Sequence, residues 1–157
     1  MIETSPVFEK IKKLLDENGI AYQLFEHEPV YTSEQAAQIR NTKMCQGAKA
    51  IIFKADDKPV LIVVPGDRRV DTKIFKKLYY IKDLRLLTAD EVKELTGLEI
   101  GAIPPFGSAI NLKIYCDQAV FENEEIVFNA GAHTKSVKMK SKDFEILEKP
   151  AIGHFCV

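Results

Sequence analysis

The chain has 157 residues, 46% of them apolar and 29% charged, with 22 Lys+Arg against 23 Asp+Glu and a formal net charge of -1. These proportions exclude a disordered tail, and no apolar run approaches the roughly eighteen residues that a spanning helix needs. One soluble domain over residues 1–157 is expected, and its near-neutral balance argues against indiscriminate coating of nucleic acid, which draws on many Lys and Arg contacts.

The opening segment MIETSPVFEKIKKLL is interrupted by Glu3, Glu9 and lysines and lacks the apolar stretch and cleavage site of a secretory signal, so a cytoplasmic location is expected. Ser5-Pro6 followed by Val7, Phe8, Ile11, Leu14 and Leu15 predicts a capped amphipathic helix that Asn18-Gly19 stops. Ile20 to His27 alternates as a half-buried strand does, Glu28-Pro29 breaks it, and Thr32-Ser33 opens a short helix. Ala48 to Lys54 and Val60 to Val64 are β-rich runs separated by the polar stretch Asp56 to Pro59, which predicts paired central strands.

Asp71 caps a basic helix through Leu78 whose Ile74, Phe75 and Leu78 fall on one side; Thr88 caps a second, Ala89 to Leu95, which Gly97 ends. Gly101-Ala-Ile-Pro-Pro-Phe-Gly107 carries two prolines and two glycines in seven residues and reads as a shaped loop. Strands follow at Leu112 to Cys116, Glu125 to Asn129 and Ser136 to Met139, then a helix from about Ser141 that turns Phe144 and Leu147 inward. Hairpin neighbours outnumber any βαβ alternation. The expected fold class is therefore α+β: a curved mixed, largely antiparallel sheet or partial barrel surrounded by helices.

Cys45, Cys116 and Cys156 show no Cys-x-x-Cys spacing, and His27, His133 and His154 lie far apart, so neither a disulfide framework nor a metal site is indicated. Basic residues gather at Arg68, Arg69, Lys73, Lys76, Lys77 and Lys82, and again at Lys135, Lys138, Lys140 and Lys142. They read either as solvated faces of a helix and a strand or as a hold on a short phosphate backbone.

Lys49 sets an ammonium at the start of the apolar run Ala50-Ile51-Ile52-Phe53. Burying it is costly unless it gains a partner or a ligand oxygen; the alternative is that it snorkels out at the strand end. The Gly101 to Gly107 loop can turn backbone N–H groups toward an oxyanion or a water, though a rigid turn without function has the same composition. Asn129-Ala-Gly-Ala-His133-Thr-Lys leaves a strand through small residues and brings an amide, an imidazole and a hydroxyl close together, suiting the floor of a tight pocket. Asp117 either orients such a pocket or begins a turn, and Asp143 suits the first turn of the last helix.

Taken in order, Gly47-Ala-Lys49-Ala, the Gly101-x-x-x-Pro105 loop with Phe106-Gly107, Asp117, Phe128-Asn-Ala-Gly131-Ala-His133-Thr and Asp143-Phe resemble the YbaK/prolyl-tRNA synthetase-associated editing domain over essentially the whole chain. The resemblance implies a free-standing aminoacyl-tRNA deacylase with a mixed sheet or barrel and outer helices. It implies that Lys49 contacts the acceptor-end adenosine or phosphate and supports catalysis, and that the Gly101 to Pro105 backbone positions the carbonyl and the water. His133, Gly131, Asp117 and Asn129 fall at its substrate-binding positions. The histidine favours Ala-tRNA(Pro) as substrate, with Cys-tRNA(Pro) or Ser/Thr-tRNA as alternatives within the family. Implied partners are the aminoacyl-adenosine end of tRNA and prolyl-tRNA synthetase, with no membrane, no DNA and no cofactor.

Such an activity has a physical motive. A synthetase pocket sized for proline rejects smaller residues only weakly, about 1–3 kcal/mol per missing methylene, so errors are best removed in a second, smaller site. Ester hydrolysis there needs a held water and oxyanion donors, not a covalent nucleophile. Two other readings stay open on the residues alone: a cysteine hydrolase pairing Cys45 or Cys116 with His133, and a non-catalytic module that binds tRNA or a synthetase.

Overall fold

Ser5 starts the first helix as its residue type requires. In the computed structural model, which describes residues 5–157, Ser5 is extended (φ -145°), its Oγ accepts the Phe8 N–H at 3.1 Å, and Pro6 opens α1 (Pro6–Glu17). Residues 1–4, part of the segment read for a leader, lie outside the described residues. α1 turns Val7, Phe8, Ile11 and Leu15 into the core. Then come β1 (Tyr22–Glu26) and α2 (Ser33–Arg40), the latter capped by Thr32.

The two central strands are β2 (Ala48–Ala55) and β3 (Lys58–Pro65), antiparallel along their whole length and joined through Asp56 and Asp57, both at positive φ (44° and 69°) as a tight hairpin demands. Asp56 also accepts the Lys82 and Asp83 N–H groups, so the turn anchors the next segment. α3 (Thr72–Tyr79) is capped by Asp71, but of the three apolar residues expected inside only Phe75 is buried; Ile74 and Leu78 are exposed. This short helix meets the sheet along one line, where Phe75 packs edge-on against Tyr115 and Phe155 at 5.0 Å.

β4 (Leu84–Leu86) and α4 (Ala89–Thr96) follow, and Gly97 at φ +75° ends α4. The Gly101 loop runs into a one-turn helix, α5 (Gly107–Ile110), and then β5 (Lys113–Asp117), β6 (Glu125–Asn129), β7 (Lys135–Lys140), α6 (Ser141–Glu148) and β8 (Ala151–Gly153). The short elements β4, α5 and β8, and 3-10 turns at Met44–Gln46 and Gln118–Glu122, are absent from the sequence reading. None spans enough residues to show a period.

The mixed, largely antiparallel architecture expected is present, divided between two sheets and not closed. One has the order β1-β7-β6 and is antiparallel; the other runs β4-β2-β3-β5-β8, with β3–β5 and β5–β8 parallel. β3 explains itself: Leu61 and Val63 face the layer that holds α1 and α6, Ile62 and Val64 face the layer under α3, and a strand covered on both sides must be apolar throughout.

The way the sheets meet positions the site. β4 covers only Phe53–Ala55 of the outer edge of β2, so the other end is free to approach β6, and a single bridge joins Gly47 to Val127. Beyond that bridge the sheets diverge and leave a gap. Among the described residues no helix is long and apolar enough to cross a membrane.

Candidate active site

A cavity of about 110 Å³ opens at this seam. Gly47 and the first residues of β2, Ala48 to Ala50, form one wall and Val127 to Asn129 of β6 another; the lining is completed by Gly101 and Ile103 and by Tyr31 to Ser33, Ala36, Arg40, Met44 and Gly66. Of the residues singled out in the sequence, Lys49, Gly101 and Asn129 meet here.

The Gly101 loop is held in place by the segment after β6. Asn129 Nδ2 donates to the Gly101 carbonyl at 2.6 Å, and the Gly131 N–H donates to the Ala102 carbonyl at 3.0 Å. Gly101 sits at φ +94°, a backbone angle that favours glycine, and a Cβ there would lie 3.1 Å from His133 Cε1 and press on that ring. The Gly101 and Ile103 N–H groups have no acceptor among the described residues, and both residues line the cavity. Pro105 is buried and does not line this cavity; with Pro104 it restricts the backbone of the loop.

Lys49 is half-buried at the edge of the cavity, its Nζ donating to the Arg68 carbonyl at 2.8 Å. Burial lowers the pKa of the ammonium; nearby Asp67 opposes this and Arg69 adds to it.

The other expected substrate contacts stand elsewhere. His133 is buried behind Gly101, its Nδ1–H donating to the Val30 carbonyl (3.1 Å) and its ring packed on Tyr31 at 4.6 Å; it does not line the cavity. Among the described residues His133 Nε2 has no hydrogen-bond partner, and it lies 3.4 Å from Glu99 Oε2. Its influence on a ligand must therefore pass through Gly101 and Tyr31. Gly131, at φ +83°, faces α1: a Cβ would lie 2.9 Å from Ser5 Oγ, which donates to the Gly131 carbonyl. Asp117 is wholly buried outside the cavity lining, its carboxylate taken up by the backbone N–H groups of Ala119, Phe155 and Cys156. The turn-forming alternative for Asp117 is the one adopted.

The second basic group is also smaller than its sequence suggests. Lys135 is buried, with Nζ 3.0 Å from Glu26 and 4.8 Å above the Phe8 ring, and Lys138 is half-buried. The first group remains at the surface: Arg68, Arg69, Lys73, Lys77 and Lys82 are exposed. Arg68 and Arg69 directly follow the Gly66-Asp67 segment at the cavity edge. Arg40, Tyr31, Ser33 and Gly66 went unnoticed in the sequence. Only for Arg40 was there a signal, since it lies four residues after Ala36 on one helical face.

Among the described residues no group of three or more His, Cys, Asp or Glu side chains is placed to hold a metal ion. No cysteine lines the cavity; Cys116 and Cys156 are buried, with desolvation pushing both thiols toward the protonated form. Treatment with iodoacetamide is expected to leave deacylation within about twofold of the untreated rate; stoichiometric inactivation would restore the cysteine-hydrolase reading.

Comparisons with known proteins identify the family. Residues 27–147 match the aminoacyl-tRNA editing domain model. The multifunctional Ser/Thr-tRNA deacylase ProXp-y of Escherichia coli K12 is 35% identical over 99% of this chain and 96% of its own length. A proline–tRNA ligase of Caldicellulosiruptor bescii is 32% identical over 74% of this chain, which spans a fifth of that ligase. A solved structure described as a candidate trans-editing enzyme for prolyl tRNA synthetase superposes with a TM-score of 0.84 at 25% identity, covering 98% of each chain. The chain belongs to the aminoacyl-tRNA editing domain family. Its class is that of the aminoacyl-tRNA hydrolases, which cleave the ester joining a wrong amino acid to tRNA.

Proposed function

We propose that this protein clears tRNA, foremost tRNA(Pro), of a small misattached amino acid, with the aminoacyl-adenosine end seated at the seam between the sheets. The observation that carries this is that Lys49 lines one cavity of about 110 Å³ together with Gly101 and Ile103, whose N–H groups have no acceptor among the described residues. A cavity of that size takes a small acyl group and leaves the nucleotide outside. The α-carbonyl then lies against the Gly101 backbone. Water attacks the acyl carbon, the oxyanion that develops is met by the two N–H groups, and the bond to the ribose oxygen breaks as that oxygen takes a proton. The free amino acid and the tRNA leave. Lys49 holds the terminal adenosine or its phosphate, and the ribose hydroxyl beside the ester relays the proton, which supplies the base that no side chain on the cavity wall provides.

The acyl group proposed is seryl or threonyl ahead of alanyl. The full-length relative is named a Ser/Thr-tRNA deacylase, and Ser33, Arg40 and Asn129 give the cavity wall polar groups that a methyl cannot use. Loss of ester from tRNA(Pro) charged with serine, threonine, alanine, cysteine or proline separates the choices. Serine and threonine are expected to be lost fastest and proline at least about 100-fold more slowly, since it does not fit. Fastest loss of alanine would return the substrate to Ala-tRNA(Pro). Binding without any loss above buffer would make this a recruiting module.

A further inference from the structure

Arg40 is the deepest charge on the cavity wall. It is 8% exposed, and α2 places it one turn after Ala36, whose carbonyl takes its Nε–H at 3.1 Å. Its Nη1 donates to Ser136 Oγ at 3.2 Å, a hydroxyl that also lies 2.7 Å from His27 Nε2 and 3.3 Å from Oδ1 of Asn129, the residue that fixes the Gly101 loop. Among the described residues no Asp or Glu lies within ion-pair distance of it. Burial pushes its pKa down to about 10, which leaves it charged at neutral pH. A buried guanidinium without a counter-charge is costly, and an open donor edge facing a cavity asks for an oxygen. Nη2 is that edge: it has no acceptor among the described residues, and it lies 3.8 Å from where a Cβ would stand on Gly47, which lines the same cavity.

The substrate has few oxygens to offer there. Its nucleotide is too large for the cavity, which keeps the ester near Lys49 and Gly101. The α-ammonium is repelled by a guanidinium. What extends to the buried end is the acyl side chain. We infer that Arg40 is the specificity-determining residue of the acyl pocket, donating from Nη2 to the side-chain hydroxyl of a seryl or threonyl group. This rests on the deacylase reading above. An alanyl methyl leaves the same donors facing carbon, and a site built around a hydroxyl discriminates strongly against its absence.

The test compares kcat/KM for Ser-tRNA, Thr-tRNA and Ala-tRNA in wild type, Arg40→Met and Arg40→Lys, with circular dichroism melts on each protein. In Arg40→Met the seryl and threonyl values are expected to fall about 100-fold while the alanyl value holds or rises, so that the Ser/Ala ratio drops by about 100-fold or more. Equal losses on all three substrates, or an unchanged ratio, would overturn the role given to Arg40. If Arg40→Met does not fold, Arg40→Lys decides: it keeps the charge but loses the planar fork, and an unchanged Ser/Ala ratio in that variant is equally fatal. A wild-type enzyme that removes alanine and spares serine and threonine sinks the acyl assignment itself. One that removes serine, with a ratio indifferent to Arg40, sinks this inference alone.

Discussion

Lys49→Ala is expected to lower kcat/KM for deacylation about 100-fold, the scale on which a misplaced substrate is felt, because the ammonium's hold on the terminal adenosine or its phosphate positions the ester against the Gly101 backbone. The fold should not notice. Lys49 is held in β2 by main-chain pairing opposite Val64, and its ammonium makes one protein hydrogen bond, to the Arg68 carbonyl at the protein surface. Half-burial already lowers the pKa of this ammonium, so its position costs free energy that the alanine variant no longer spends. The melting temperature should therefore stay within a few degrees of wild type, and Lys49→Arg should recover only part of the rate, because a planar fork does not replace a point charge at the same reach. Full activity in Lys49→Ala would remove the ammonium from the mechanism.

Asp117→Ala should behave in the opposite way. The wild-type carboxylate accepts three buried N–H groups, from Ala119 at 2.8 Å, Phe155 at 2.7 Å and Cys156 at 2.8 Å. Removing it strands all three donors, at about 1–3 kcal/mol for each one that cannot relax, so a loss of at least about 3 kcal/mol is expected. For a chain of this length that lowers the melting temperature by about 10 °C. The damage should be to the tail. Asp117 ties Phe155 and Cys156 to the end of β5, and Val157 then exchanges two backbone hydrogen bonds with Arg69 at 2.9 and 2.8 Å. Well below the new melting temperature, activity on Ser-tRNA should remain within about threefold of wild type. Lost activity at an unchanged melting temperature would return Asp117 to the substrate site.

The two variants mark the division between what was legible and what was not. Lys49 stands out in sequence because an ammonium at the head of an apolar strand is locally anomalous. Asp117 follows a strand in the same way whether it faces a ligand or a turn, and the N–H groups that decide the matter lie 38 and 39 residues away. Gly131 and His133 follow the same logic. Both occur in a segment suited to a pocket floor, yet one admits α1 and the other supports Gly101 from behind.

The sequence alone determined the caps at Ser5, Thr32, Asp71 and Thr88, the stop at Gly97, the β2–β3 hairpin and the presence of a constrained loop from Gly101, because each follows from contacts within a few residues. Only the tertiary structure decided that the strands divide into two sheets, that their divergence beyond Gly47 and Val127 leaves a cavity, and that Arg40, on a short helix of polar appearance, is buried at its wall. These depend on which distant strand edges pair and which remain open. No periodicity in a single segment encodes that choice, since it is made by the free energy of packing the whole chain at once.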